Sequence, residues 1–174
     1  MMRVRVFLGC SLDGFIAGPN DELDWLEGHE GAEDTYTPFF SQIGAMLMGR
    51  RTYDAVDSFA GEWPYGDTPI IVATNRPLQP TKGNVRAAQG TIEDLVEMAK
   101  SVSRGRDVYI DGGNVIGQAL DAGLVDEITM TLLPVVLGNG VKLFGNTERT
   151  HKLSLKSHRD VGGGMVELVY TPSQ

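Results

Sequence analysis

The sequence is poor in residues that staple a fold or ligate a metal. Among 174 residues there is one cysteine, Cys10, and three histidines, His29, His151 and His158. A lone cysteine excludes an intrachain disulfide, and the dispersed histidines give no metal-ligand spacing, so no metal site is expected. Cys10 lies in an apolar run and reads as a core residue. Long hydrophobic runs are also missing. No stretch approaches the ~18 apolar residues of a membrane span, and Arg3 and Arg5 interrupt the N-terminal apolar segment. The expectation is a cytoplasmic protein with no membrane partner. Positive charge is scarce: 15 Lys and Arg face 23 Asp and Glu, a net charge of −8. Such a surface repels a phosphate backbone, so no nucleic-acid partner is expected. An anionic cofactor would need a local positive site set against this field.

What is present suits an ordinary globular domain. Hydrophobic residues make up 41% and charged residues 22%, and the length supports one domain over residues 1–174. Short apolar runs alternate with helical patterns. Val4–Cys10 reads as a buried strand, followed by a long loop marked by Gly14, Gly18, Pro19 and Asn20. Tyr36–Ile43 reads as part of an amphipathic helix and Ala45–Met48 as a short strand. Gly49 opens a second helix. Pro69–Thr74 is a strand ending in a turn, with a short strand at Val85–Ala87. Thr91 is a good N-cap for a helix reaching Ser101, because Glu93 and Asp94 place acids in its first turn. A strand at Val108–Ile110 meets Gly112 and Gly113, then a helix at Val115–Leu120. Strands follow at Glu127–Leu133, Leu153–Ser157 and Met165–Tyr170. This order predicts an α/β fold: a mostly parallel central sheet flanked by helices, with antiparallel C-terminal strands.

Four segments carry candidate chemistry. In Asp111-Gly112-Gly113-Asn114-Val115-Ile116 a strand passes through two glycines into a helix. Glycines admit close backbone approach and the helix start offers free N–H groups to phosphate, although a plain tight turn fits equally well. In Met48-Gly49-Arg50-Arg51-Thr52-Tyr53 two arginines begin a helix. Cations oppose the dipole there, and a bound anion would remove the conflict. Thr74-Asn75-Arg76 forms a polar turn suited to a ribose 2′-phosphate or to nothing but the surface. In Ser11-Leu12-Asp13-Gly14 a carboxylate arrives at a strand end, either as a substrate group or as an Asx-turn. Three of these junctions fall at the carboxyl ends of strands, where open α/β sheets bind ligands.

The succession Ser11–Ala17, Met48–Tyr53, Ile70–Arg76 and Tyr109–Asn114 resembles the dihydrofolate reductase superfamily. It is most similar to the reductase domain of the bifunctional riboflavin-biosynthesis deaminase/reductase and its stand-alone relatives. Leu124–Met130 and Pro134–Phe144 fit the same relatives. The resemblance implies a dihydrofolate reductase-like fold and NADPH as cofactor. It places Gly49, Arg50 and Thr52 at the diphosphate, and Thr74, Asn75 and Arg76 at the 2′-phosphate. Asp111, Gly112 and Gly113 lie against the cofactor, with a cis peptide between the glycines, and Asn114, Val115 and Ile116 open the phosphate-binding helix. Gly9 and Ile16 flank the nicotinamide, and Ser11 and Asp13 face the substrate.

The implied function is hydride transfer from NADPH to a small heterocyclic or ribosylamino-pyrimidine-type substrate, as in a 5-amino-6-(5-phosphoribosylamino)uracil reductase. Asp13 is the first candidate proton donor and Glu33 the second, with Glu30 and Asp34 near the same segment. Trp25 either covers the substrate pocket from a loop or anchors that loop. Trp63 either lines the pocket or packs on the surface. The late alternating strands offer an apolar face, and a homodimer is expected by analogy with the riboflavin reductase domain. No His/Cys set for a zinc deaminase is present. The alternatives are a dihydrofolate reductase-type pterin reductase, a non-catalytic NADP-binding module, and a structural dimerisation protein.

Overall fold

The computed structural model describes residues 1–173. In chain order the elements are β1 (Val4–Ser11), β2 (Phe15–Ala17), α1 (Tyr36–Phe40), β3 (Ile43–Gly49), α2 (Arg50–Asp57), β4 (Pro69–Ala73), β5 (Asn84–Ala88), α3 (Ile92–Val102), β6 (Asp107–Asp111), α4 (Gly113–Asp121), β7 (Glu127–Leu133), β8 (Val141–Lys142), β9 (Leu153–Asp160) and β10 (Val166–Pro172). Eight of the strands form one sheet in the order β5-β4-β3-β6-β1-β7-β10-β9. The strands from β5 to β7 pair in parallel. The strands β10 and β9 then add antiparallel. This is a dihydrofolate reductase-like arrangement with the mostly parallel sheet and antiparallel C-terminal strands that the sequence predicts.

The central strands are apolar on both faces because helices cover both. In β3, Ala45 and Leu47 pack toward α3 and α4 with Val96, Ile116 and Ala119. The alternate residues Met46 and Met48 pack toward α1 and α2 with Phe39 and Tyr53. The period-2 alternation of side chains thus splits one strand between two cores. Helix α3 begins where its cap dictates: the Thr91 side chain accepts the Asp94 N–H and the Asp94 carboxylate accepts the Thr91 N–H.

Two elements differ from expectation. The helix begun at Tyr36 ends at Phe40 instead of running to Ile43. The Gln42 N–H tightens onto the Phe39 carbonyl, and Ile43 is taken by β3, where it pairs with Asp107. The loop after β1 contains β2, which pairs with β8. Strands this short are specified by the meeting of distant segments and leave no local periodicity.

The amino ends of the central strands hold a buried ion cluster. Arg5 lies 2.7 Å from Glu127 and 3.3 Å from Asp107, and all three are buried. Its guanidinium also stacks on the Phe39 ring, and Arg3 closes onto the same two acids. The carboxyl ends are left open, and there the molecule forms its cleft.

Candidate active site

A cleft of about 660 Å³ runs across the carboxyl ends of β4, β3, β6 and β1, a volume suited to a cofactor with a small substrate. Its middle is built from two helix starts. Helix α2 begins after Gly49 and α4 after Gly112, and neither has a side-chain cap or an acid in its first turn. Their orphan N–H groups therefore remain open to an anion. The two starts nearly touch: a Cβ on Gly112 would fall 2.5 Å from the Thr52 hydroxyl, and one on Gly113 would fall 2.9 Å from the Lys142 carbonyl. Gly112 also holds φ at 99°, a conformation that favours glycine. Backbone is thus exposed to the cleft where a side chain would fill it.

One end of the cleft is cationic. Arg50 donates to Asp54 at 2.8 Å and to the Pro77 carbonyl at 3.1 Å, which ties α2 to the turn after β4. In that turn the Thr74 hydroxyl accepts the Arg76 N–H. The Arg76 side chain is exposed and meets Asp54 at 3.5 Å. Arg51 pairs with Asp21 across the cleft mouth.

The other end is aromatic and apolar. Phe7, Tyr65 and Tyr109 line it, Leu23 and Leu26 reach over it, and Gly9 and Ile16 form its floor. Phe7 stacks on Phe39, which meets Tyr109 edge-on. Tyr65 packs between Phe40 and Trp63. Into this wall projects Asp111, the last residue of β6, in register with Met48. Burial pushes its carboxyl up from 3.8 to about 6, opposed only by the Gly112 N–H. Burial first, and the Asp111 charge second, raises the Tyr36, Tyr65 and Tyr109 hydroxyls above the usual phenol value.

The residues predicted from sequence divide. Gly9, Ile16, Gly49, Arg50, Thr52, Thr74, Asn75, Arg76, Asp111, Gly112, Gly113, Asn114 and Val115 all line the cleft. Ile116 does not: it is fully buried in the core beneath α4, and its N–H is taken by the Gly112 carbonyl. No cis peptide bond occurs among the described residues, so the Gly112–Gly113 bond is trans.

The predicted substrate and proton-donor residues lie elsewhere. Ser11 is fully buried, donating to Asp13 and accepting the Phe15 N–H. Asp13 accepts the Leu137 and Gly138 N–H groups and clamps that loop to the end of β1. These bonds, with that from Ser11, lower its pKa and favour the charged form. Glu33 pairs with Arg159 at 2.8 Å. Trp25 donates to the Glu22 carbonyl and anchors its own loop, while its neighbours Leu23 and Leu26 reach the cleft. Trp63 packs between Tyr53 and Tyr65 behind the wall. Asp111 was legible as a cofactor neighbour. Its standing as the half-buried acid of the cleft depends on rings brought in by separate segments.

Comparison with known proteins gives the family and the fold. The family model of the RibD C-terminal domain matches residues 3–167. The uncharacterized protein YwjB of Bacillus subtilis (strain 168) is 30% identical over 162 residues, covering 92% of each chain. A solved Shewanella sp. PV-4 structure named for riboflavin biosynthesis superposes with a TM-score of 0.87 at 30% identity, over 99% of this chain and 100% of that one. Two more distant structures share the fold. The Thermotoga maritima diaminohydroxyphosphoribosylaminopyrimidine deaminase/5-amino-6-(5-phosphoribosylamino)uracil reductase gives a TM-score of 0.71 at 14% identity, with 99% of this chain matching 57% of that one. The Enterococcus faecalis dihydrofolate reductase, solved with NADP(H), gives 0.64 at 16% identity, over 99% of this chain and 97% of that one.

Proposed function

Because the chain belongs to the RibD C-terminal domain family, a reductase family, we propose that it is an NADPH-dependent reductase of a small heterocyclic substrate. The observation that carries this reading is the convergence of two uncapped helix starts on one cleft, with Arg50 and Arg76 at one end and a half-buried acid at the other. The N–H groups opening α2 and α4 would hold the diphosphate, with Thr52 beside them. Arg50, Arg76 and Thr74 would hold the 2′-phosphate, which NADH lacks. Gly9 and Ile16 would border the nicotinamide. Bound there, the cofactor supplies a hydride to an electrophilic carbon of the substrate.

The chain's own part is to position the ring, exclude water and hold a proton. Asp111 does the last. With a pKa raised to about 6, it retains a protonated fraction near neutrality and recovers its proton from solvent through the open cleft. Hydride to carbon and proton to nitrogen together reduce a C=N group by two electrons. Asp111 replaces Asp13 and Glu33 in this role, since both are held by other partners.

A homodimer fits one further feature. Met130, Leu132, Val166 and Leu168 lie on partly exposed apolar positions of β7 and β10, strands that pair side by side. A second copy would bury that face.

Titration of the purified protein with NADPH and NADH, followed by fluorescence, tests the reading. Binding of NADPH in clear preference to NADH is expected. Absence of binding by either cofactor would overturn it.

A further inference from the structure

We propose that Asn139 is a site of spontaneous chemical modification: it converts to aspartate and isoaspartate through a cyclic imide closed by the Gly140 nitrogen. The conversion unfastens the rim of the cleft beside α4.

Of the six asparagines in the chain, Asn139 alone is followed by glycine. A glycine nitrogen has no Cβ beside it to obstruct an approaching carboxamide. The local fold adds to this. Asn139 is exposed, so water and base reach it. Its side chain is turned back on its own main chain, and Oδ1 accepts the Gly140 N–H at 2.8 Å. The carboxamide thus lies against the nitrogen that attacks it, and such pre-positioning replaces entropy that a free chain must lose. Positive φ values at Gly138 (75°) and Gly140 (152°) hold the turn in this shape.

The chemistry needs only base and water. The deprotonated Gly140 nitrogen attacks Asn139 Cγ. The new N–Cγ bond closes the imide ring, the Cγ–Nδ2 bond breaks, and the nitrogen leaves as ammonia after taking up a proton. Water then opens the ring. Opening at the side-chain carbonyl gives aspartate. Opening at the main-chain carbonyl gives isoaspartate, whose main chain runs through Cβ and Cγ and is one carbon longer.

That extra carbon falls where the chain has no slack. On one side Asp13 holds the Leu137 and Gly138 N–H groups at 3.1 and 2.7 Å. On the other, Val141 and Lys142 pair with Ala17 and Phe15, and the Leu143 N–H reaches the Gly14 carbonyl at 3.2 Å. Gly140 packs so closely on the Ala17 carbonyl that no Cβ fits between them. Lengthening the chain between these fixtures slips β8 against β2. Val141 and Lys142 line the cleft, and the Lys142 and Leu143 carbonyls abut Gly113 at the start of α4. Ageing of one exposed side chain therefore reaches the cleft.

The test incubates the full chain and follows it by peptide-mapping mass spectrometry. A gain of about one mass unit, the exchange of an amide for an acid, is expected at Asn139 before any other asparagine. It should be roughly tenfold or more faster at pH 8.5 than at pH 6.5, because the attacking nitrogen must first lose its proton. The product should accept methyl groups from a protein isoaspartate methyltransferase. Hydrogen exchange across residues 137–143 should quicken roughly tenfold or more in the isoaspartate form. The Asn139→Asp variant keeps the length of the main chain and should exchange as the fresh protein does. An Asn139 that stays unmodified while a free peptide of residues 136–143 converts completely would overturn the proposal. So would earlier conversion of another asparagine, an isoaspartate form that exchanges like the fresh protein, or an Asn139→Asp variant that exchanges as fast as the isoaspartate form.

Discussion

Replacing Asp111 by Asn in the ligand-free protein should stabilise it, and the gain should grow with pH. Partial burial against aromatic rings, opposed by one backbone donor, raises the native carboxyl from the ordinary 3.8 to about 6. The native state therefore holds the proton more tightly than the unfolded chain. The stability this confers is fully present below the unfolded value and is lost as pH rises through about 6. At 1.36 kcal/mol per unit, the shift corresponds to about 3 kcal/mol between the acidic and alkaline limits. Asparagine has nearly the same shape and no charge to bury, so its stability lacks this dependence. The difference between variant and parent should rise by about 2 kcal/mol between pH 4 and pH 8. Urea unfolding of both proteins at each pH measures it, and the contributions of all other titrating groups cancel in the comparison. A difference that stays constant, or shrinks with rising pH, would refute the assignment of Asp111 as a half-buried, weakly solvated acid.

Arg76→Ala should weaken NADPH about tenfold by removing a charge-assisted contact to the 2′-phosphate, with NADH affinity unchanged in the same fluorescence titration. Asp54→Asn should act in the opposite direction, tightening NADPH by roughly two- to fivefold, because Asp54 shares the Arg50 and Arg76 guanidinium groups with any incoming phosphate. Gly112→Ala places a Cβ 2.5 Å from the Thr52 hydroxyl at a φ of 99°. A thermal melt should show a loss of about 1–3 kcal/mol, and cofactor binding should fall with it. Arg5→Met leaves the buried Asp107 facing Arg3, and the buried Glu127 facing Arg3 and the half-exposed Lys156. Chemical denaturation should show a loss of about 3–5 kcal/mol with little change in ligand affinity per folded molecule.

The parallel core was legible because its strands are short, rich in β-branched residues and mostly apolar, as in Val4–Cys10, Pro69–Thr74 and Val108–Ile110. The start of α3 was legible because Thr91 and Asp94 form their capping bonds within three residues. Strands β2 and β8 were not, since two or three residues carry no period and their pairing joins segments more than a hundred positions apart. The same distinction runs through the site. Its glycine and arginine turns lie within single segments and read directly. Asp13 reads equally as a substrate group or an Asx-turn until the loop at Leu137 and Gly138 closes on it. Asp111 reads as a cofactor neighbour, and its raised pKa becomes visible only once Phe7, Tyr36 and Tyr65, from three other segments, gather near it.

The ion cluster at the amino ends of the strands has a bearing on the opposite edge of the sheet. Arg5 pairs in register with Tyr109 on one side and Glu127 on the other. Sliding β1 by a single residue would turn Arg5 onto the face occupied by Val4 and Val6 and strand two buried acids. Charge thus works as a ratchet stop at the bottom of the sheet. Strand length then delivers Phe7 level with Asp111 at the top, with Gly9 two residues further along β1. An inserted residue within β1 should therefore cost the site its alignment even if the fold survives, whereas one between the exposed Gly61 and Glu62 should leave the site in place.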